Sequence, residues 1–142
     1  MKSKITVDYT RSAHSLIVDG HYTWKDYRLN GLRFPSSSEM EGKVDVTVKL
    51  FHFDWYIKLE HVASEMDKAG YRPATLIELL TLGILFPNLQ KKFSIAATGS
   101  FWDDDSGDRL FPFLSAKGSD RILYASCKSD INVDNRFMGI KK

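Results

Sequence analysis

The residues with the most evident capacity for chemistry stand together, Asp103-Asp104-Asp105-Ser106-Gly107-Asp108. Carboxylates this close in sequence suit calcium, a hard cation that takes about six to eight oxygen ligands. The spacing argues otherwise. An EF-hand loop needs Gly at its sixth position and a bidentate Glu at its twelfth, whereas counting from Asp103 makes Gly107 fifth and Leu114 twelfth. The stretch is expected to be a solvated hairpin turn, with Asp and Gly serving the backbone conformations they tolerate. His14, His21, His52 and His61 show neither H-x-H nor H-E-x-x-H spacing, so zinc is not expected either. Cys127 is the sole cysteine and alternates with Leu123 and Ala125, the pattern of a residue packed on a strand. No Gly-x-Ser-x-Gly elbow and no glycine-rich phosphate loop occurs, and no metal or cofactor is expected.

Two other chemistries can be framed from residue types alone. An enzyme could assemble its site from dispersed residues such as His52, His61, Asp103 and Arg121, since triads are recognised by geometry and not by chain order. Nucleic-acid binding would need a basic stripe. The chain offers only the pairs Lys91-Lys92 and Lys141-Lys142, within 20 basic and 18 acidic residues and a net charge of +2. That balance argues against any polyelectrolyte partner. One cysteine excludes an internal disulfide, and no apolar run reaches 18 residues, so no membrane span is expected and the cytoplasm is the expected compartment.

The elements that must position these residues follow from periodicity. With 142 residues, 43% of them hydrophobic, the chain can bury a core as a single domain over 1–142. Ile5, Val7 and Tyr9 alternate with polar residues and predict a strand. Ala13 to Asp19 reads either as a short helix capped by Ser12 and stopped by Gly20 or as a buried strand. His21 to Ser38 is rich in aromatics and turn residues and is expected to wrap the core irregularly; Val44 to Leu50 is the clearest strand. Asp54 is placed to cap a helix carrying Tyr56, Leu59, Val62, Ala63 and Met66 on one face and ending at Gly70. Thr75 and Glu78 have capping-box spacing at the head of a second helix, too apolar for a surface, limited by Gly83 and Pro87. After Pro87 short runs, Ser94 to Thr98, Arg109 to Leu114, Arg121 to Cys127 and Arg136 to Ile140, predict an antiparallel meander and an α+β fold.

The segment Gly70-Tyr71-Arg72-Pro73-Ala74-Thr75-Leu76-Ile77-Glu78-Leu79-Leu80 resembles the Gly-aromatic-Arg-Leu-Pro-Thr-x-x-Glu-Leu/Trp signature of bacterial C-type lectin-like domains, with Pro73-Ala74 in place of Leu-Pro. Gly99-Ser100-Phe101-Trp102 is similar to that family's Tyr-Trp-Ser-Ser strand, Arg109 to Leu114 to its next strand, and Arg136 to Ile140 to its closing strand. The resemblance covers about residues 55 to 142 and divides the single domain into N-terminal strands and wrap over 1–53 and a lectin-like portion over 54–142; small bacterial proteins with a Gly-Tyr-Arg-Pro-Ala-Thr-Leu-x-Glu-Leu-Leu segment are similar over the whole chain. It implies an α+β fold, C-type lectin-like, with two helices packed on small antiparallel sheets, Trp102 lying in its core. Formylglycine-generating chemistry in that group needs two cysteines, and this chain has one. The Glu-Pro-Asn and Trp-Asn-Asp motifs of calcium-dependent sugar binding are also absent from the sequence. What remains is a non-catalytic module that binds a protein or small ligand through loops at one end of the late sheet, at Asp104, Lys117, Ser129, Asn132 and Asp134. Should those loops not bind, the aromatic wrap from Tyr22 to Phe34 is the next surface to consider.

Overall fold

The computed structural model describes residues 1–34, 40–53, 57–127 and 134–142. Strand β1 (Lys2–Asp8) and strand β3 (Lys43–His52) form where alternation predicts them and pair antiparallel, Ile5 with Val46 and Val7 with Val44. Helix α1 (Ala13–Gly20) resolves the ambiguity of its segment: Ser12 Oγ accepts from the Ser15 N–H at 3.1 Å. Gly20 is not its stop. It is the last helical residue, and His21 turns the chain out with φ 50°. A Cβ on Gly20 would lie 2.3 Å from the Tyr22 ring, so the glycine is there for room.

The wrap that follows is held to a sheet edge. Strand β2 (Trp24–Lys25) runs parallel to β8 (Asp120–Cys127), after which Asp26 Oδ2 accepts from the Ala125 N–H and Arg28 donates to the Ala125 carbonyl. Leu29 and Phe34 anchor the segment in the core, while Tyr27 and Leu32 stand out in solvent. Helix α2 (Leu59–Lys68) starts after Lys58, which provides no side-chain cap; Asp54 and Tyr56 lie outside the described residues.

Strand β4 (Tyr71–Pro73) leads into helix α3 (Leu76–Leu85), buried almost throughout as its apolar composition requires. Glu78 reaches back to the Thr75 N–H at 2.8 Å, one half of the expected capping box. The other half is loose. The Thr75 hydroxyl sits in the capping arrangement yet is buried without a hydrogen bond of good geometry. Gly83 lies inside α3 and does not end it; a Cβ there would meet the Tyr22 hydroxyl at 2.3 Å.

Strands β5 (Ile95–Ala96), β6 (Trp102–Asp103), β7 (Arg109–Lys117), β8 and β9 (Arg136–Lys141) fill the last third. Among the described residues they join the earlier strands in one nine-stranded sheet of order β1-β3-β9-β5-β7-β8-β2, with β4 also on β9 and β6 also on β7. The fold is α+β. Two expectations need correction: three α-helices are present among the described residues, not two, and the sheet is mixed, because β5 is parallel to β9 and β2 to β8. Local alternation marks a strand but carries no information about its neighbour, so β9 inserting between β3 and β5 could not be read from the meander pattern. Helices α1 and α3 cover one face around Leu16, Leu79, Leu80 and Leu114; α2 covers the other around Phe51, Val62, Met66, Phe113 and Phe137. No helix among the described residues is long and apolar enough to cross a membrane.

Candidate functional site

The acidic stretch forms the turn between β6 and β7. Asp104 Oδ1 accepts from the N–H groups of Ser106 and Asp108, both at 2.9 Å, and Gly107 supplies the positive φ of 83°. On β7, Arg109 clasps the Asp103 carboxylate through Nε and Nη2 at 2.8 and 3.1 Å, and that guanidinium holds Asp103 below the ordinary carboxylate range.

Two arginines lie on aromatic rings on either side of this turn. The Arg109 guanidinium is 3.8 Å from the centroid of Phe101. Arg33, from the wrap, is 4.8 Å from Trp102 and 5.8 Å from Tyr27. Trp102 itself is half-buried against the core, so the expected core position holds for part of its ring only.

Beside Phe101 opens a groove of about 520 Å³ between α2 and the turn. Leu59 and Ala63 of α2, Pro73, Phe101 and Phe111 make its apolar wall; Glu60, Asp108 and Arg109 stand on its rim, and Thr98 and Cys127 also line it. Its base is fixed from α3. Ser100 Oγ accepts from the Leu76 N–H at 2.8 Å, and Gly99 N–H donates to Ala74 O, so close that a Cβ on Gly99 would fall 2.6 Å from the carbonyls of Pro73 and Ala74. Residues 98 to 101 are thereby tied to the β4–α3 corner.

That corner is locked by a buried carboxylate. Glu78, with no exposed surface, accepts from Arg72 Nη1 and Nη2 at 2.9 and 2.6 Å, from the Tyr9 hydroxyl and from Thr75 N–H. Burial alone would push its carboxyl up; the hydrogen bonds from Arg72, Tyr9 and Thr75 outweigh it and hold Glu78 below its usual value. Burial, then Glu78, drives the Tyr9 hydroxyl the other way, upward.

The residues proposed from sequence do not converge. Asp104 is committed to its own turn. Lys117 ends β7 eight residues beyond Arg109, about 27 Å away along an extended strand, in a separate hollow with Trp24, Asp120 and Tyr124. Asp134 is exposed just before β9, whose first residue pairs with Ile95 and so lies toward the Lys117 end. Ser129 and Asn132 lie outside the described residues. Asp104 and Lys117 therefore do not share one end of the sheet: the β7–β8 hairpin sends its own turn away from the β6–β7 turn, and β8 and β9 run the same way. The dispersed enzyme residues stay dispersed. His52 and His61 are exposed on β3 and α2, and Asp103 is paired with Arg109. Arg121 pairs with Ala116, seven residues or about 24 Å along β7 from Asp103's partner Arg109.

Phe101, Arg109, Glu60 and Pro73 were not singled out from sequence as site residues. The adjacent aromatics ahead of an acidic turn were a usable signal for Phe101; the approach of α2 and β4 to them depends on tertiary packing. Comparison with known proteins finds no matching family model, no matching curated protein and no matching solved structure.

Proposed function

We propose that this protein is a non-catalytic binding module on a C-type lectin-like scaffold, and that it takes an apolar group of a protein or small ligand into the groove between α2 and the β6–β7 turn. The observation that carries the reading is Phe101, 46% exposed, its ring covered on one side by Arg109 and its backbone neighbours Gly99 and Ser100 bonded to the β4–α3 corner. Burying a Phe side chain fully is worth about 1.5–3 kcal/mol, and an immobilised ring offers that gain to a ligand with little ordering cost. Glu60 and Asp108 on the rim favour a ligand that carries a cationic or donor group beside its apolar part. In support of the scaffold, the segments that carry the family resemblance correspond in order to β4–α3, β6, β7 and β9.

A titration followed by amide NMR tests this with phenethylamine as the cationic aromatic probe and phenylacetate as its anionic counterpart. Phenethylamine is expected to move the amides of Ala63, Thr98 and Gly107, more than phenylacetate does, and Phe101→Ala is expected to abolish the effect. Shifts confined to the Trp24–Tyr124 hollow, or no shift at millimolar probe, would remove the groove as the binding site.

A further inference from the structure

The two edges of the sheet are treated differently. At the β8 edge, beyond the short β2, side chains take over from backbone: Asp26 accepts from Ala125 N–H at 3.1 Å and Arg28 donates to Ala125 O at 2.9 Å. At the opposite edge, among the described residues, β1 pairs with β3 alone. Leu50 N–H donates to Met1 O and Tyr9 N–H to Gly42 O, and the register between them sets Ser3, Ile5 and Val7 against Val48, Val46 and Val44. Bonded and non-bonded pairs alternate along an antiparallel ladder, so the odd-numbered residues of β1 bond to β3. The N–H and C=O groups of Lys2, Lys4, Thr6 and Asp8 then point outward. Of these, only the Asp8 carbonyl has a partner among the described residues, the Arg11 N–H at 3.2 Å. Seven residues of strand are left as a template for another strand.

We propose that the β1 edge of a second copy closes this edge, the two strands running antiparallel about a two-fold axis at Ile5. Such an isologous pairing closes on itself, as a dimer must. Charge selects the register. With the axis at Ile5, Lys2 lies opposite Asp8 of the second copy and Lys4 opposite Thr6, so each outward lysine meets an acid or a hydroxyl. Behind Thr6 on the same face stands Asp45, whose carboxylate holds the Thr6 hydroxyl at 2.6 Å and adds a second negative charge toward the incoming Lys4. Moving the axis to Lys4 sets Lys4 against itself, and like charges directly opposite destabilise a ladder. Moving it to Thr6 keeps Lys4 against Asp8 but leaves Lys2 beyond the paired residues and shortens the ladder. Lysines usually blunt a sheet edge against indiscriminate pairing; here they reject the Lys4-centred register and accept the Ile5-centred one, and ladder length disfavours the Thr6-centred one. A ladder of this length buries little surface, so the dimer is weak and its ion pairs make it salt-sensitive.

Sedimentation velocity on the full chain from about 10 µM to about 1 mM tests the dimer over the range where small interfaces associate. The expected result is a sedimentation coefficient that rises with concentration and falls back at high salt, with the Lys4 and Thr6 amides gaining protection from hydrogen exchange as the dimer fills. Thr6→Pro removes an outward N–H and none of the backbone bonds to β3; the one bond to β3 it loses is the exposed side-chain bond to Asp45, so it should abolish association while the melting temperature stays near that of the parent. Lys2→Glu sets a carboxylate opposite Asp8 and should weaken association about tenfold without touching the backbone. It carries the test if the proline variant folds poorly. A chain that stays monomeric at the highest concentration overturns the proposal. So does a dimer indifferent to both substitutions, or one whose newly protected amides lie away from β1.

Discussion

Glu78 concentrates more bonding on one side chain than any other residue of the β4–α3 corner, and its charge is what Arg72, Tyr9 and Thr75 N–H are arranged around. Replacing it with Gln keeps the shape and removes the charge, leaving Arg72 without its counter-ion; because Arg72 retains some solvent contact, we expect a loss of about 2–4 kcal/mol in urea unfolding at pH 7. The pH dependence has a definite sign. A carboxyl held below its ordinary value of 4.5 contributes stability above that pH, and the contribution disappears as pH falls through the lower folded-state value. The Gln variant should therefore lose the corresponding part of the acid dependence, which unfolding curves between pH 5 and about pH 2 would reveal. Asp104 is a different kind of acid. Its oxygen organises the β6–β7 turn, so Asp104→Asn should be close to neutral and Asp104→Ala should cost about 1 kcal/mol by the same measurement, larger than the change expected of a solvated ligand-binding residue.

At the scale of elements, the joint between α1, α3 and β8 turns on Tyr22. Its ring fills the space that Gly20 and Gly83 leave, and the Arg121 guanidinium stacks on it at 4.6 Å. The Tyr22 hydroxyl is buried with no hydrogen-bond partner among the described residues, and burial, partly offset by Arg121, pushes it up to about 12. Tyr22→Phe should leave stability unchanged or raise it by up to about 1 kcal/mol, because it removes an unsatisfied polar atom from an apolar site. A raised folded-state value means that the ionisation of Tyr22 leaves stability untouched below pH 10 and lowers it as pH rises from 10 toward 12, where the unfolded chain loses the proton first; Tyr22→Phe should weaken that alkaline dependence in thermal melts. This joint also marks how far the sequence could be read. The strand from Val44 to Leu50, the apolar helix behind Thr75 and the acidic turn were legible, because each is written in local spacing and local backbone preference. Gly20 and Gly83 look like helix stops in the sequence, yet both lie within helices, since the demand on them comes from a tyrosine that is remote from Gly83 in the chain. The groove was hidden for the same reason. Ala63, Pro73 and Phe101 come from three separate segments, and no local pattern announces that they meet.

For the molecule as a whole, the two polar joints of the α3 layer differ in what accepts the positive charge. At the head of α3, Arg72 relies on the carboxylate of Glu78. Near its tail, Arg121 donates to the carbonyls of Gly20, at the end of α1, and of Gly83, in the last turns of α3, and to Gln90 Oε1. A cation at the C-terminal end of a helix is favoured by the helix dipole, and here one guanidinium serves two helices. None of its acceptors takes up a proton in mild acid. Acidification should accordingly dismantle the protein from one side: the corner bearing β4 and residues 98 to 101 loosens first, carrying the groove with it, while the α1–α3–β8 joint stays closed. Hydrogen exchange at about pH 3, below the ordinary carboxyl range, is expected to show Leu76 and Gly99 amides opening ahead of those of Leu82 and Leu123. Simultaneous opening of both ends would contradict this. The fold then has an acid-labile end that presents the groove and an acid-resistant end that preserves the packing of its helices.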